Sequence, residues 1–137
     1  MAPAQPAPPP AWLVRLNVAF LRRGLRIGSQ HLLTVRGRRS GQPRSTPVSV
    51  VALEGQRYLV AAFDAAWVAN LRAAGEGELR RGRTSALHRF EELPTQAGGP
   101  VLRAFLEQVP GGVRFFGQQS RDEIVAGADR YPVFRVD

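Results

Sequence analysis

Two apolar, β-branched runs flank a short polar turn between residues 32 and 51, in the stretch LLTVRGRRSGQPRSTPVSVV. Residues 32–35 and 47–51 carry Leu, Val and Thr, which suit a pleated surface that is buried on one side. Glycine, serine and proline cluster between the two runs, as they do where a chain reverses direction. The stretch therefore predicts a β-hairpin, and the fold of the chain has to accommodate it.

The turn of this hairpin carries several groups that bind anions. Gly37 and Gly41 tolerate positive φ angles and leave room for an anion to approach main-chain N–H groups. The side-chain donors are the guanidinium groups of Arg38, Arg39 and Arg44 and the hydroxyl groups of Ser40, Ser45 and Thr46. Two interpretations remain open at this point. Either the tip binds a phosphate or carboxylate, or it is a solvated turn of ordinary composition.

The rest of the chain alternates short apolar runs with turn residues. Further strands are predicted at 57–62, at 78–81 and 84–90 about Gly82, and at 131–136. Helices are predicted at 11–27, at 64–75 with Asp64 as N-cap, at 101–109, and after a capping box formed by Ser120 and Glu123. Strands joined locally, with helices over their ends, indicate an α+β fold, a small antiparallel barrel of about six strands with short flanking helices.

The N-terminal part divides into a tail and a helix. Residues 1–10 contain five prolines and predict a disordered Pro/Ala-rich tail, so the single folded domain is expected at 11–137. In the predicted N-terminal amphipathic helix, Trp12, Leu16 and Phe20 share one face and arginines gather on the other. This helix either packs its apolar face on its own domain or makes peripheral contact with an anionic membrane surface.

The location of the protein is only weakly constrained by its sequence. The chain has no cysteine, which fits a reducing compartment. It contains no apolar run that approaches the ~20 residues of a membrane span, and its N-terminus lacks the basic and apolar segments of a secretory signal. We therefore expect a cytoplasmic protein, with the membrane contact of the N-terminal helix at the inner face as the alternative.

The positive charge is concentrated in the first part of the chain. Residues 1–53 contain eight arginines and no acid, whereas the remainder balances its charges, and the whole chain carries a net charge of +8. A localised positive field implies an anionic partner: a nucleic acid, a membrane surface or a multiply charged small molecule. The first 53 residues offer few aromatic platforms for stacking bases, so we expect no nucleic-acid partner.

Several kinds of active site are excluded because their residues are missing. His31 and His88 have no acidic or thiol partner at ligand spacing, so no metal site is expected. The chain contains no G-x-S-x-G, no G-x-x-x-x-G-K-[ST] and no strand–G-x-G-x-x-G–helix unit. It thus combines anion-binding groups with almost no acid–base groups. That combination favours borrowed chemistry, in which a redox cofactor supplies the reactivity.

A family resemblance adds to this interpretation. The sequence G-R-R-S-G-x-x-R-x-x-P at 37–47, followed by W-x-x-N-L at 67–71, resembles the deazaflavin-dependent nitroreductase family, and the likeness extends from about residue 12 to 136. The resemblance implies a split β-barrel that binds coenzyme F420, a deazaflavin with an anionic phosphate and oligoglutamate tail. Related split barrels bind FMN, haem or other ligands, so FMN is the alternative cofactor.

The same resemblance implies roles for individual residues. The implied contacts to the phosphate and tail are Arg38, Arg39, Ser40 and Arg44; those beside the deazaflavin ring are Pro47, Val48, Ala61, Ala62, Trp67 and Asn70. Trp67 is equally well explained as a core anchor. This chain has Phe115 and Phe116 where some relatives have tyrosines, so these rings are expected to line an apolar acceptor pocket. Proton delivery would then fall to solvent or to Tyr131.

The expected activity is that of an oxidoreductase. Reduced F420 would pass hydride to an electron-poor acceptor such as a quinone, a nitroaromatic or an enone. Two other functions remain open: a non-catalytic protein that binds a flavin, a deazaflavin or another amphipathic anion, and, less favoured, a nucleic-acid binding module. The assembly is expected to be a monomer or a homodimer.

Overall fold

A closed barrel of six antiparallel strands forms the centre of the molecule, with strand order β1-β2-β3-β6-β5-β4. The computed structural model describes residues 11–12, 15–16, 18, 30–62 and 65–137. The strands are β1 (Gln30–Arg36), β2 (Pro43–Leu53), β3 (Gln56–Val60), β4 (Glu76–Arg81), β5 (Thr84–Glu92) and β6 (Val133–Val136). The helices are α1 (Ala66–Ala74), α2 (Gly99–Gln108) and α3 (Arg121–Ala126), with single 3₁₀ turns at Thr95–Ala97, Gly112–Phe116 and Ala128–Arg130. The predicted α+β fold, an antiparallel barrel of about six strands with short flanking helices, is confirmed.

The first hairpin is longer than the sequence pattern indicated. Strand β1 pairs with β2 from Gln30 opposite Ser49 to Arg36 opposite Pro43. Strand β2 therefore begins four residues before the predicted start at residue 47. Arg44 and its two hydroxyl neighbours lie in the strand, and the turn itself is only residues 37–42. The strand extends to Pro43 because Pro43 and Arg44 pair with Arg36 and Val35 across the hairpin. Proline is tolerated at the first position of a strand because no ladder hydrogen bond is required from it there.

Strands β2 and β6 close the barrel. The first part of β2 pairs with β1, and its last four residues pair with β3. Strand β6 pairs with β3 on one side and with the end of β5 on the other. The side chains that face the barrel interior are apolar, and we call this set the barrel core. Its buried members are Leu33, Val35, Val48, Leu59, Ala61, Val68, Leu71, Leu79, Phe134 and Val136.

A second apolar cluster lies between the outer face of β2 and β3 and the helices that follow β5. We call it the helical core. Its buried members are Val51, Ala62, Val101, Leu102, Ala104, Phe105, Leu106, Val109, Phe116, Ile124, Ala128, Tyr131 and Val133. Helix α2 contributes five of these side chains, because its apolar residues recur at helical spacing. The predicted capping box at the start of α3 is confirmed, since Ser120 Oγ accepts from the Glu123 N–H and the Glu123 carboxylate accepts from the Ser120 N–H.

Helix α1 packs against β1 and β4 and contributes Val68 and Leu71 to the barrel core. It begins at Ala66 with Ala65 in the N-cap position, so the predicted N-cap at Asp64 is wrong. Asp64 itself lies outside the described residues. The helix ends as predicted at Gly75, whose φ of 74° is the left-handed conformation that glycine adopts at low cost.

The predicted tail at residues 1–10 lies outside the described residues, as does most of the predicted N-terminal helix. The described positions of that segment, residues 11, 12, 15, 16 and 18, are helical. Trp12 and Leu16 are exposed by 64% and 43%. Within the described part of the chain, none of the helices has the length and apolar character needed to cross a membrane.

Two ion pairs join exposed residues around the end of β5. Arg72 of α1 donates two hydrogen bonds of 2.8 and 2.7 Å to the Glu92 carboxylate, and Arg135 Nη2 lies 2.8 Å from Glu91 Oε2. Adjacent strand residues point to opposite faces, so the two neighbouring glutamates have different partners. The Arg72–Glu92 pair fastens helix α1 to β5.

The Arg72–Glu92 pair predicts a small pH-dependent contribution to stability. The hydrogen bonds from Arg72, reinforced by its charge, hold the pKa of Glu92 below its ordinary value, against a smaller opposing effect of burial. A carboxyl with a lowered folded-state pKa stabilises the protein above its unfolded pKa and loses that contribution as the pH falls through the folded value. Because half of the Arg72 side chain is exposed, we expect E92Q to cost only about 0.5 kcal/mol at pH 7.

Urea unfolding of wild type and E92Q between pH 7 and pH 3 measures this contribution. The difference in free energy of unfolding should shrink toward zero at the acidic end of the series. A constant difference across the range would show that E92Q acts through packing and not through charge.

Candidate functional site

The hairpin tip is held in one shape by its own hydrogen bonds. The Gly37 N–H donates to the main-chain oxygen of Gln42 at 2.8 Å, and the Gly41 N–H donates to the main-chain oxygen of Gly37 at 2.9 Å. Ser40 Oγ accepts from the Gln42 N–H at 3.2 Å. Gly41 takes a φ of +71°, as the sequence predicted. We call residues 37–42 the anion loop, for the reasons that follow.

Gly37 is required for a different reason from the predicted one. Gly37 does not have a positive φ angle, so glycine is not required here for a left-handed conformation. A Cβ atom at this position would instead lie 2.8 Å from Ser40 Oγ, 3.2 Å from the Gln42 oxygen and 3.4 Å from Arg44 Cγ. Glycine is thus needed because the two arms of the loop approach each other closely.

The hydrogen bonds within the loop leave two consecutive main-chain donors available. No hydrogen bond to a described residue uses the N–H of Arg39 or Ser40, and both residues are exposed. Ser40 Oγ serves as an acceptor within the loop, so its hydroxyl hydrogen can still be donated outward. Adjacent N–H groups in a turn form a concavity that binds anions. The tip therefore presents a small set of donors on exposed residues.

Asn70 of α1 holds the start of the loop. Its Oδ1 accepts a hydrogen bond from the main-chain N–H of Arg38 at 3.1 Å and a second from Arg38 Nη1 at 2.9 Å. Among the described residues, Asn70 is the polar side chain that is buried, with 6% of its surface exposed. The two motifs of the sequence, at 37–47 and 67–71, thus meet at this contact.

Arg44 is the second residue of β2 and follows Pro43 at the turn end of the strand. It pairs with Val35, and Val35 belongs to the barrel core, so Arg44 starts on the inner face of the strand but remains exposed at the barrel end. On the other face of the same hairpin, the hydroxyls of Thr34 and Ser45 lie 2.8 Å apart. The loop arginines have no carboxylate within ion-pair distance among the residues that the structure describes. The positive charge of the tip is therefore uncompensated there.

The strand residues expected beside the deazaflavin ring divide between two faces of the barrel. Val48 points into the barrel core, whereas Pro47 lies on the outer face of β2, because neighbouring residues of a strand alternate. Likewise Ala61 belongs to the barrel core and Ala62 to the helical core. The Ala61 N–H donates to the Pro132 oxygen at 2.9 Å. These four residues therefore do not form one continuous side-chain surface.

Trp67 is half-buried at the end of the barrel. Its ring packs against Phe134 at a centroid distance of 5.9 Å and an interplanar angle of 54°. It also contacts the barrel core as a partly buried member. The contact with Phe134 supports the interpretation of Trp67 as a core anchor, and its remaining exposed surface is available to a ligand.

The two phenylalanines after α2 differ sharply in burial. Phe116 is completely buried in the helical core, with edge-on contacts to Phe105 at 5.6 Å and to Tyr131 at 4.8 Å. Phe115 is 40% exposed. An acceptor pocket lined by the Phe116 ring would require that ring to leave the core, so the structure assigns it a packing role, and of the pair only Phe115 retains an accessible surface.

Tyr131 is buried as well, with 6% of its surface exposed. Its hydroxyl oxygen accepts a hydrogen bond of 2.9 Å from Gln119 Nε2, which also donates to the Phe116 oxygen at 2.8 Å. The phenol and the anion loop belong to different parts of the molecule, since Tyr131 lies in the helical core. Gln119 has no signal in the sequence, because its partner is 12 residues away and follows no helical or strand period.

The two histidines lie in different strands, β1 and β5. His88 Nδ1 is 2.8 Å from the main-chain oxygen of Asp137, and its Nε2 is 3.4 Å from Arg57 Nη2. His31 lies in β1 opposite Val48. Over the described residues, no three His, Cys, Asp or Glu side chains come together in an arrangement that could hold a metal ion.

A family model supplies an independent comparison. The model described as F420H(2)-dependent quinone reductase matches residues 11–98 of the chain. This range includes the anion loop, the barrel strands β1 to β5 and helix α1. No significant match exists among curated proteins.

Solved structures with the same fold are numerous. A protein described as a domain-swapped dimer has 18% sequence identity and a TM-score of 0.60, with 92% of this chain and 97% of the other covered. An "F420-H2 Dependent Reductase (FDR-A)" has 19% identity and a TM-score of 0.60, with coverage of 82% and 98%. A FAD-binding protein from Mesorhizobium loti has 17% identity and a TM-score of 0.51, with coverage of 88% and 86%. At these identities the three similarities show the fold alone.

Proposed function

We propose, from the premise that the chain belongs to the F420H(2)-dependent quinone reductase family, that it reduces an electron-poor acceptor with hydride from F420. Membership makes the chain an F420-dependent oxidoreductase. The acceptor classes that we propose are quinones, nitroaromatics and enones. Such acceptors have planar, electron-poor carbon or nitrogen centres. The chain itself has almost no acid–base groups that could catalyse a different reaction.

The anion loop is the observation that best supports this function. F420 carries a phosphate and an oligoglutamate tail, and the loop presents the matching donors without an acid among its residues. The loop donors are the N–H groups of Arg39 and Ser40, the Ser40 hydroxyl, and the guanidinium groups of Arg38 and Arg39. Arg44 adds a further guanidinium group from the adjoining end of β2. A donor set of this kind fits a multiply charged tail better than it fits a neutral ligand.

The proposed roles of the other predicted residues follow from their faces. Pro47 and the exposed part of Trp67 are the members with surface left for contact with a ring. Val48 and Ala61, which are buried in the barrel core, would support that surface from beneath, and Ala62 would do so from the helical core. Phe115 remains as the aromatic residue that an acceptor could touch.

F420, when bound in its reduced form, supplies the hydride. The chain contributes binding, orientation and exclusion of water. The arginines bind the cofactor tail, which is remote from the reacting atoms, and so hold the deazaflavin ring in a fixed orientation. This lowers the entropic cost of bringing the ring and the planar acceptor together. The proton that accompanies hydride transfer is proposed to come from solvent, because the Tyr131 hydroxyl is buried and bound to Gln119.

The cofactor preference is tested by direct titration. We expect the purified protein to bind F420 at least 10-fold more tightly than FMN, since only F420 adds a chain of carboxylates to the phosphate that both share. Isothermal titration or quenching of cofactor fluorescence measures both affinities in the same buffer. Tighter binding of FMN would overturn the cofactor assignment while leaving the barrel intact.

A turnover assay distinguishes the enzyme from a protein that only binds. Oxidation of reduced F420 is followed by absorbance with a panel of quinones, nitroaromatics and enones. Turnover with at least one class is expected. Tight binding without turnover across the panel would favour storage or transport of the cofactor. The FAD-binding protein with the same fold shows that such barrels also serve flavins.

The remaining partners are a small-molecule acceptor and, for assembly, another copy of the chain. The solved structure described as a domain-swapped dimer supports the homodimer over the monomer as the proposed assembly. The proposed compartment is the cytoplasm. Exposed Trp12 and Leu16 lie one helical turn apart, and this is the surface by which the N-terminal segment would make peripheral contact with a membrane.

A further inference from the structure

Asn70 occupies an unusual position for a side chain that is expected to contact a cofactor. It is buried in helix α1, where Val68 and Leu71 on either side of it in the sequence belong to the barrel core. Only 6% of its surface is exposed. Its carbonyl oxygen receives both of its recorded hydrogen bonds, and both come from one residue, Arg38. Burial of an amide is costly unless the amide is hydrogen-bonded, so the contact with Arg38 stabilises Asn70 in this place.

The contact fixes two different parts of Arg38 at once. The 3.1 Å bond from the main-chain N–H sets the direction of the chain as it enters the anion loop. The 2.9 Å bond from Nη1 sets the direction of the guanidinium group. A free arginine side chain has many rotamers, and ordering it costs conformational entropy on binding. Asn70 removes that cost in advance, and the remaining guanidinium N–H groups stay available for an anion.

The contact also joins the anion loop to helix α1, in addition to the strands β1 and β2 that flank the loop. The other recorded bonds of residues 37–42 are made within the loop itself. Helix α1 is anchored to the barrel by Val68 and Leu71, and through Arg72 to Glu92. The Asn70 oxygen therefore ties the loop to a helix that is itself anchored to the barrel, while the paired strands hold the two ends of the loop.

We propose that Asn70 is a positioning residue that acts on the anionic tail of the cofactor through Arg38, and that it does not bind the cofactor independently. The proposal rests on the function proposed above, because it takes the loop as the tail site. Arg38 supplies the charge and Asn70 supplies its orientation. The two residues therefore act as one unit, and their contributions to affinity are not additive.

A double-mutant cycle tests this directly. We expect N70A to weaken F420 binding by about 10-fold and R38A by about 10- to 100-fold, which is the range for hydrogen bonds to charged groups. The double variant N70A/R38A should lose clearly less affinity than the product of the two single losses, because R38A already removes the guanidinium that Asn70 orients and leaves only the main-chain bond. If the two losses multiply, Asn70 does not act through the Arg38 guanidinium and the proposal is wrong.

Two further variants separate positioning from a general loss of structure. N70D keeps an oxygen acceptor at the same place and should preserve the Arg38 geometry, so its loop amide spectrum should resemble that of wild type. R72A removes the neighbouring link of α1 to β5 without touching the loop, and it should leave F420 affinity within 2-fold of wild type. Loss of affinity in R72A equal to that in N70A would show that any weakening of α1 suffices.

A measurement without cofactor keeps this proposal distinct from the proposed function. Amide hydrogen exchange, followed by NMR in the ligand-free protein, reports the bond from the Arg38 N–H to Asn70. We expect that exchange at Arg38 accelerates at least 10-fold in N70A while exchange at barrel-core amides is unchanged. If wild-type protein does not bind F420, the proposed function fails while this result can still hold. If exchange at Arg38 is unchanged in N70A, the positioning role fails whatever the cofactor is.

Discussion

Replacement of both Arg38 and Arg44 by alanine should weaken F420 binding by about 10²- to 10⁴-fold. Hydrogen bonds to charged groups contribute about 1.5–3 kcal/mol each, and the two arginines approach the tip from opposite arms of the anion loop. Arg38 is held by Asn70, and Arg44 is the second residue of β2, opposite Val35. Neither guanidinium has a described carboxylate within ion-pair distance, so both charges are available to the cofactor.

The kinetic consequence distinguishes a tail site from a catalytic centre. Contacts that are equally strong in the ground state and the transition state lower KM without raising kcat. R38A/R44A should therefore raise KM for reduced F420 while kcat at saturating cofactor stays within about 3-fold of wild type. A large fall in kcat at unchanged KM would place the arginines beside the reacting atoms and would overturn the assignment of the loop.

A matched control removes the same charge elsewhere. R103A/R121A deletes two exposed arginines from helices α2 and α3, and neither residue belongs to the anion loop. This variant lowers the net charge equally, so it reproduces any effect of the general positive field. We expect affinity within about 3-fold of wild type for R103A/R121A at 150 mM salt, where long-range attraction is screened. Similar losses of F420 affinity in the two double variants would show that the loop contributes only as part of a diffuse basic surface.

The sequence predicted the hairpin, the strand that follows it and the helix after β3 because their signals are local. Alternating apolar residues, glycine turns and a capping box each act within a few residues of one another. The start of β2 was misjudged because Pro43 and Arg44 are weak strand formers when considered alone. Their strand conformation comes from pairing with Val35 and Arg36 across the hairpin, and that pairing is a tertiary effect.

The functional contacts were harder to predict because they cross long stretches of chain. The motif at 67–71 places Trp67, Asn70 and Leu71 at helical spacing i, i+3 and i+4, on one face of α1. That the Asn70 oxygen would receive the N–H of a residue 32 positions earlier has no local signal. Gly37 illustrates the same limit, since the sequence marked it as a glycine of the turn but could not show that Arg44 and Gln42 close upon it.

Phe116 is the residue for which the structure changes the expectation most, and its replacement gives the largest predicted effect on stability. Truncation of a fully buried phenylalanine to alanine costs about 3–5 kcal/mol, through lost burial and through the cavity that remains. Phe116 has no exposed surface and touches Phe105 and Tyr131 edge-on. We therefore expect F116A to lose about 3–5 kcal/mol in the free energy of unfolding by urea denaturation, with little change in the m-value.

The adjacent Phe115 provides the internal control for this experiment. It has the same chemistry and the same local chain but is 40% exposed, with its ring 6.3 Å from Phe105, so F115A should cost about 1 kcal/mol or less. F116L, which keeps most of the volume, should remain folded and bind acceptor with an unchanged KM, because Phe116 presents no surface to it. Equal losses of stability in F116A and F115A would contradict the packing role of Phe116. An acceptor KM that rises in F116L at full stability would show that Phe116 contributes to the acceptor pocket. The opposite result leaves Phe115 as the aromatic side chain of this pair that can contact an acceptor.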